Sequence, residues 1–200
     1  MNNSNVNKNF ILGSGSARRI NLLKQIGVHP DLILKPNVNE LSHLNELPIN
    51  YVKRIAIEKN KVFQSKHPQS IILTADTVVS VGRRILHKAT EIKQAEEYLK
   101  LISGRRHKVI TCFCLFSPNN PFKIKTVQSV VKFKRLDTKE ISYYLASNEW
   151  QGKAGGYAIQ GIAASFINFI SGSYSNVVGL PLAELYRMLL SIGYEFKNDK

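Results

Sequence analysis

Residues 10–27 read Phe-Ile-Leu-Gly-Ser-Gly-Ser-Ala-Arg-Arg-Ile-Asn-Leu-Leu-Lys-Gln-Ile-Gly, and this stretch decides the fold class. Its apolar beginning, Phe10 to Leu12, predicts a short strand, and the glycines and serines of 13–16 predict a tight loop. The apolar residues that follow recur at helical spacing: Ile20, Leu23 and Ile26. Because Gly27 ends this pattern, the unit is a strand, a glycine-rich loop and a helix.

Beyond this unit, helical and strand patterns alternate along the chain. Helices are predicted at 49–67, from Thr90 as the N-cap to Gly104, from Thr138 as the N-cap to Leu145, and from Pro181 onward. Strands are predicted at 71–81, 109–116, 124–133 and 163–170. The Ile- and Val-rich stretch 71–81 is typical of a buried strand in a mainly parallel sheet. The alternation predicts an α/β fold with a mixed sheet.

Length and composition suit one domain over 10–196, or two small lobes that share a cleft. The chain has 200 residues, of which 44% are hydrophobic, so it can bury a sizeable core. Residues 1–9 are polar and predict a disordered tail without the apolar middle of a signal peptide. Since the longest apolar runs are also too short for a bilayer, we expect a cytoplasmic protein. Cys112 and Cys114 then read as buried free thiols.

The formal charge is +14, which favours an anionic partner: nucleic acid, a membrane surface or a phosphorylated small molecule. The basic residues are scattered, however, and no run of five or six Lys and Arg occurs. The charge therefore permits an anionic substrate, while neither a membrane nor a nucleic acid is the expected partner.

The first candidate site is the loop that opens the first helix. The N–H groups at a helix start attract phosphate, and here Ser14 and Ser16 add hydroxyl donors while Arg18 and Arg19 add guanidinium groups. The loop lacks the Gly-Lys-Ser/Thr ending of a Walker motif. The alternative at this point is an ordinary capped helix with two exposed arginines.

The second candidate site is Asp76-Thr77 inside an apolar strand. A buried carboxylate is costly unless it is paired or binds a metal, so Asp76 is a candidate magnesium ligand or proton acceptor. A strand-end aspartate that caps a turn is the alternative. Taken singly, Glu40, Lys59 and Lys88 resemble surface charges. Together with Asp76 and the two arginines they give two carboxylates, two lysines and two arginines, which is what a triphosphate and Mg²⁺ require.

The third candidate site is the glycine-rich stretch 153–161, in which Gln160 offers a donor and an acceptor for the edge of a base. A plain glycine-rich turn is the alternative interpretation.

Five ordered motifs together resemble the Maf family of nucleoside triphosphate pyrophosphatases. They lie at Leu12–Arg19, Ala75–Val79, Ser103–Thr111, Lys153–Gly161 and Asn176–Pro181. The order and spacing match from Ile11 to about Leu190, which makes the resemblance specific. It implies a fold similar to that of inosine triphosphate pyrophosphatases, with a mixed twisted sheet and flanking helices around a deep cleft.

The resemblance also implies the reaction. A divalent cation, Mg²⁺ or Mn²⁺, assists hydrolysis of a nucleoside triphosphate to the monophosphate and pyrophosphate. Asp76 is the implied proton acceptor, Glu40 joins it at the metal, and the Ser/Arg loop with Lys59 and Lys88 surrounds the phosphates. A homodimer is the family expectation.

Three positions imply the substrate. Arg18, Thr77 and Gln160 match the branch that cleaves dTTP and UTP, whereas the branch acting on 7-methyl-GTP has Trp, Gln and Glu there. Departures from the family pattern include Ala17 in place of Pro and His87-Lys88-Ala89 in place of Gly-Lys-Pro.

Two further functions stay open at the level of sequence. One is a house-cleaning enzyme for modified pyrimidine nucleotides such as 5-methyl-UTP or pseudo-UTP. The other is a non-enzymatic regulator of septum formation and cell division that binds nucleotide or nucleic acid. The enzyme interpretation requires Ser14, Arg18, Asp76 and Gln160 to line one cavity.

Overall fold

The computed structural model describes residues 9–196, in which seven strands and six α-helices alternate. The strands are β1 (Phe10–Gly13), β2 (Leu32–Ile33), β3 (Ile71–Val81), β4 (Arg84–Leu86), β5 (Arg106–Phe116), β6 (Lys123–Phe133) and β7 (Ile167–Ser171). The helices are α1 (Ala17–Gln25), α2 (Pro48–Gln64), α3 (Ile92–Ile102), α4 (Thr138–Ala146), α5 (Tyr174–Val178) and α6 (Leu182–Leu190). The predicted tail lies outside the described residues except for Asn9.

The strands form one mixed sheet in the order β2-β1-β3-β5-β6-β7, and β4 pairs with the far end of β3. Strand β1 is parallel to β2 and to β3. The other pairs are antiparallel, including the long pairs β3 with β5 and β5 with β6. The mixed sheet is confirmed, but the expectation that β3 lies in a mainly parallel sheet was wrong, because short turns join β3 to β4 and β5 to β6 as hairpins.

Helix α2 covers one face of the sheet. It packs Val52, Ile55 and Ala56 against β3 and β5, and both Cys112 and Cys114 are buried there as free thiols, as predicted. Since side chains alternate along a strand, the residues of β3 that face α2 also include Asp76.

The opposite face of the sheet carries the larger core. Side chains from α1, α3, α4 and α6 pack there against β1, β3 and β5, and Leu23, Leu99, Tyr144 and Leu189 are fully buried examples. Two helical layers therefore enclose the sheet. None of the helices within residues 9–196 combines the length and apolar character that a membrane span requires.

Several helix ends differ from the sequence predictions. Helix α2 ends at Gln64 and not at His67. Glu91 and not Thr90 occupies the N-cap of α3, which ends at Ile102. Asp137 and not Thr138 caps α4, because its carboxylate accepts from the backbone N–H of Glu140 while the Glu140 side chain accepts from the Asp137 N–H.

The segment after the glycine-rich stretch was predicted as one strand, 163–170, and this was wrong in its first half. Residues Ile162–Phe166 form a 3₁₀ helix, and only then does β7 begin. Phe166 is buried against Phe133 and Tyr144, so tertiary packing sets the conformation there. Helix α5 was not predicted; Ser173 caps it by accepting from the N–H of Asn176.

Candidate active site

A cavity of about 490 Å³ opens where the loop after β1, the middle of β3 and the glycine-rich stretch after α4 meet. The residues predicted from sequence that line it are Ser14, Ser16, Arg18, Arg19, Glu40, Lys59, Asp76, Thr77 and Lys88. Segments far apart in the chain thus converge on one cavity. Gln160 is the exception: its side chain is exposed and does not line the cavity, because its neighbour Ile159 takes the inward position. The expectation that Ser14, Arg18, Asp76 and Gln160 all line one cavity was therefore wrong for Gln160, and it holds for the other three.

Two carboxylates and a buried lysine form the centre of the cavity. The Nζ of Lys59 lies 2.7 Å from Asp76 Oδ1 and 2.7 Å from Glu40 Oε1. The Lys59 and Asp76 side chains are each 5% exposed, whereas that of Glu40 is 34% exposed. Lys59 lies where it does because α2 packs Ile55 and Ala56 on the sheet, and a residue one turn farther along the same face meets Asp76.

Glu40 also joins the loop after β2 to the segment after β4. Its Oε2 lies 2.5 Å from Lys88 Nζ, and the Tyr51 hydroxyl donates to its backbone carbonyl at 2.9 Å. Burial alone would raise the pKa of Glu40, but the hydrogen bonds and charges of Lys59 and Lys88 outweigh it and lower the pKa to about 2. Glu40 is therefore ionised throughout the physiological range.

The glycine-serine loop is arranged for an anion. Ser16 is the N-cap of α1, yet its side chain makes no capping hydrogen bond, so its hydroxyl is free for a ligand. Arg18 lines the cavity, and its side chain makes no hydrogen bond within residues 9–196; burial lowers the pKa of its guanidinium. An ordinary capped helix would use the serine hydroxyl and leave the arginine in solvent.

Unlike Arg18, Arg19 is held by hydrogen bonds within the protein. Its Nε donates to the Gly179 carbonyl at 2.9 Å, its Nη1 to Ser14 Oγ at 3.0 Å and its Nη2 to Thr77 Oγ1 at 3.1 Å. Burial lowers the pKa of Arg19 to about 10, partly offset by Asp76, so the guanidinium remains charged at neutral pH. Arg19 thus fixes three cavity-lining segments, and only its remaining N–H groups can reach a phosphate.

The far wall of the cavity is apolar and includes Val79, Tyr157 and Ile159. The Tyr157 hydroxyl lies 2.7 Å from Nε2 of buried His107, and the two rings meet edge to face at 5.4 Å. Burial lowers the pKa of His107 to about 4, so the imidazole is neutral at pH 7. This pair links the third and fourth sequence motifs behind the cavity wall.

Two basic residues of the cavity were not among the predicted site residues. Lys35 follows β2, and its methylene stem lies so close to Gly15 that a Cβ built on that glycine would be 2.6 Å from Lys35 Cε. Lys153 lines the cavity beside Arg18, and burial lowers the pKa of its ammonium. Only the motif around Lys153 gave a sequence signal, whereas Lys35 lies in a loop without one.

The formal charge of the lining follows from these residues. Six basic and two acidic side chains contribute, a surplus of four positive charges in the walls of one cavity. Such a surplus attracts a multiply charged anion. Within residues 9–196 there is no cluster of three or more His, Cys, Asp or Glu that would hold a metal unaided. Asp76 and Glu40 still fit Mg²⁺, which commonly uses one or two carboxylates and takes its other ligands from phosphate and water.

Fold and cavity together define the class: an α/β protein with a strongly cationic cavity beside paired carboxylates. Comparison with known proteins gives the family. The family model for Maf-like proteins matches residues 9–192, and the chain belongs to this family.

Known relatives match over nearly their whole length. A dTTP/UTP pyrophosphatase of Zymomonas mobilis is 50% identical over 185 residues, covering 92% of each chain. A dTTP/UTP pyrophosphatase of Ruegeria sp. is 47% identical over 95% of this chain and 97% of the relative. A nucleoside triphosphate pyrophosphatase of Anaplasma phagocytophilum is 49% identical over 90% and 93%.

Among solved structures, a HAM1 protein from Coxiella burnetii is 12% identical and covers 92% of this chain and 99% of that chain, with a TM-score of 0.49. Because this score is below 0.5, the fold assignment rests on the family match and on the sheet described above.

Proposed function

We propose that this protein hydrolyses dTTP and UTP to the nucleoside monophosphate and pyrophosphate, in the cytoplasm. The main structural support for this activity is that the Ser14 loop, Glu40, Lys59 and Asp76 line one cationic cavity. Relatives that are 47–50% identical over nearly the full length bear the name dTTP/UTP pyrophosphatase, which supports the same activity here.

The triphosphate occupies the polar part of the cavity. The Ser14 loop and the start of α1 present hydroxyl and N–H donors, while Arg18 and Lys88 offset phosphate charge. The nucleoside extends toward the apolar wall, where Val79, Tyr157 and Ile159 exclude water from it.

Hydrolysis at the α-phosphate is the chemical step. A water oxygen forms a bond to the α-phosphorus, the bond from that phosphorus to the bridging oxygen breaks, and pyrophosphate leaves. Asp76 accepts the proton of the attacking water. Lys59, held between Asp76 and Glu40, keeps the two carboxylates together and reduces their mutual repulsion.

Asp76 and Glu40 are also the residues that would hold Mg²⁺ or Mn²⁺. A bound divalent cation would offset phosphate charge and polarise the phosphorus–oxygen bonds. The protein's own contribution is the fixed position of the two carboxylates, which Lys59 and Lys88 maintain in the absence of the ion.

Arg18, Thr77 and Gln160 are the residues that we assign to base selection. Arg18 and Thr77 line the cavity, whereas Gln160 lies on the surface next to Ile159. The Gln160 amide makes no side-chain hydrogen bond within residues 9–196, so it remains available to a base edge if the glycine-rich stretch shifts when the nucleotide binds. Modified pyrimidine nucleotides with the same hydrogen-bonding edge fit the same arrangement.

The deciding experiment is a panel of nucleotides. Pyrophosphate release is measured from dTTP, UTP, CTP, 7-methyl-GTP and ITP, and from 5-methyl-UTP and pseudo-UTP, each with Mg²⁺ and with Mn²⁺. We expect dTTP, UTP and their modified forms to have the highest kcat/KM. Release of single phosphates, or preference for 7-methyl-GTP or ITP, would contradict the proposal. If the protein releases no pyrophosphate and instead binds nucleic acid with an affinity that falls steeply as salt is added, the non-enzymatic regulator is supported.

A further inference from the structure

Behind Thr77 lies a chain of buried hydrogen bonds that determines what the Thr77 hydroxyl can offer to a ligand. Thr77 faces the side of the sheet opposite to Asp76, together with Val79, which lines the apolar wall of the cavity. A hydroxyl has one hydrogen to donate and two lone pairs to accept with. The protein's own contacts therefore decide which of these remain.

The chain begins at Asn176, which is completely buried. Its Nδ2 donates to the Val109 carbonyl at 3.1 Å and to Ser129 Oγ at 2.9 Å, so its backbone is held against β5 and β6. The hydroxyl of Thr111, also fully buried, donates to the Asn176 carbonyl at 3.1 Å. A carbonyl can only accept, so this contact uses the single hydroxyl hydrogen of Thr111.

The direction of the next bond follows. Thr77 Oγ1 lies 2.9 Å from Thr111 Oγ1, and since the Thr111 hydrogen points at the backbone carbonyl of Asn176, Thr77 is the donor. The Gly179 carbonyl, 3.4 Å from Thr77 Oγ1, is a more distant acceptor for the same hydrogen. Thr77 Oγ1 also accepts from Arg19 Nη2 at 3.1 Å. The hydrogen and one lone pair of Thr77 are thus both used within the protein, and what remains for a ligand is a single lone pair.

We propose that Thr111 is a positioning residue for base selection: by holding the hydroxyl hydrogen of Thr77, it makes Thr77 an acceptor for the N3–H of uracil or thymine. Cytosine has an unprotonated N3 at this position, so its lone pair would face that of Thr77. This inference rests on the proposed function, since it assumes that the base lies at the apolar wall. A site built to accept one N–H discriminates strongly against a base that lacks it.

The experiment measures the affinity of the full-length protein for α,β-methylene UTP and α,β-methylene CTP by calorimetry with Mg²⁺, which does not depend on turnover. We expect the wild type to bind the UTP analogue about 10- to 100-fold more tightly. Thr111→Val keeps the shape but removes the nearer acceptor, so the Thr77 hydrogen is left with the Gly179 carbonyl, which is 3.4 Å away. Because so long a contact is weak, the hydrogen can turn to cytosine N3, and the ratio should fall about 5- to 30-fold. Thr111→Ser keeps the hydroxyl, so its ratio of the two affinities should equal that of the wild type.

Thr138→Val, at the exposed start of α4, is the matched control and should leave the ratio unchanged. If Thr111→Val does not fold, as judged by circular dichroism, the pair Thr77→Ala and Thr77→Ser replaces it: the first should lose the discrimination and the second should keep it.

Equal affinity of the wild type for both analogues, or an unchanged ratio in folded Thr111→Val, would overturn the inference. A wild type that prefers the UTP analogue but releases no pyrophosphate from UTP would end the proposed function and leave the inference on Thr111 standing. Absence of binding to either analogue would end both.

Discussion

Replacing Asp76 and Lys59, singly and together, separates the chemistry of the site from its stability. Asp76→Asn keeps an oxygen that can accept from Lys59 but removes the negative charge. Lys59 retains Glu40 at 2.7 Å, so we expect a loss of about 1–3 kcal/mol in the free energy of unfolding. Loss of the general base should lower kcat by about 10²–10⁴-fold.

Lys59→Met is the more damaging single change. It leaves Asp76, whose side chain is 5% exposed, without its partner and no longer screened from the Glu40 carboxylate, which should cost about 3–5 kcal/mol. Glu40 is less affected, because it is 34% exposed and keeps Lys88. In the double variant no buried charge is left unpaired at these two positions, so adding Asp76→Asn to Lys59→Met should recover about 2 kcal/mol.

The measurements are urea denaturation followed by circular dichroism, and pyrophosphate release from dTTP. We expect the double variant to be more stable than Lys59→Met and still at least about 10²-fold slower than the wild type. Strictly additive losses in stability would show that Lys59 and Asp76 are not coupled. Full activity of Asp76→Asn would show that Asp76 is neither the base nor a required ligand.

Three further predictions concern pH and backbone conformation. The ion pairs of Glu40 should contribute fully to the free energy of unfolding above a pH of about 4.3, and this contribution should be lost as the pH falls toward 2. In urea denaturation at a series of pH values, Glu40→Gln should lack this part of the acid dependence. Because the folded-state pKa of His107 is about 4, the free energy of unfolding should be highest above pH 6.5 and fall by about 3 kcal/mol toward pH 4; an equally steep slope in His107→Gln would contradict this. Gly155→Ala should lower the free energy of unfolding by about 2–4 kcal/mol, because Gly155 has φ of +67° and a Cβ there would lie 2.9 Å from Val79. Gly82→Ala is the control: Gly82 has φ of +57° but open space around it, so the loss in thermal denaturation should be only about 1–2 kcal/mol.

The paired strands β5 and β6 and the helix after the glycine-serine loop follow from residue patterns, because apolar periodicity reports directly on local backbone geometry. The pattern failed at 163–170, where a short apolar run suits a strand or a tight helical turn equally well. There the burial of Phe166 between Phe133 and Tyr144 selected the 3₁₀ helix. The N-caps were displaced by one residue at α3 and α4. At α4 the Asp137 carboxylate takes the N–H of Glu140, whereas at α3 the N-cap Glu91 makes no side-chain capping hydrogen bond.

Residue chemistry in the motifs was sufficient to nominate Ser14, Arg18 and Asp76, whereas Glu40 was nominated only together with the other charged residues and by the family resemblance. The structure brings all four to one cavity. It was not sufficient to show that Arg19 is tied to Gly179, that Lys35 lies over Gly15, or that Gln160 remains on the surface. Each of these depends on which distant segment packs beside the side chain, and no local periodicity encodes that.

The sequence by itself therefore determined the long strands and helices and the types of charge and donor that the site contains, but not β2, β4, α5 or the 3₁₀ helix. Only the tertiary structure decided which of them meet. Lys59 reaches Asp76 because α2 crosses β3 at that level, and the hydroxyl of Thr77 meets that of Thr111 because β5 lies beside β3 in that register. The physical reason is that such contacts join residues 17 and 34 positions apart, and packing of helix on sheet and strand on strand fixes them jointly.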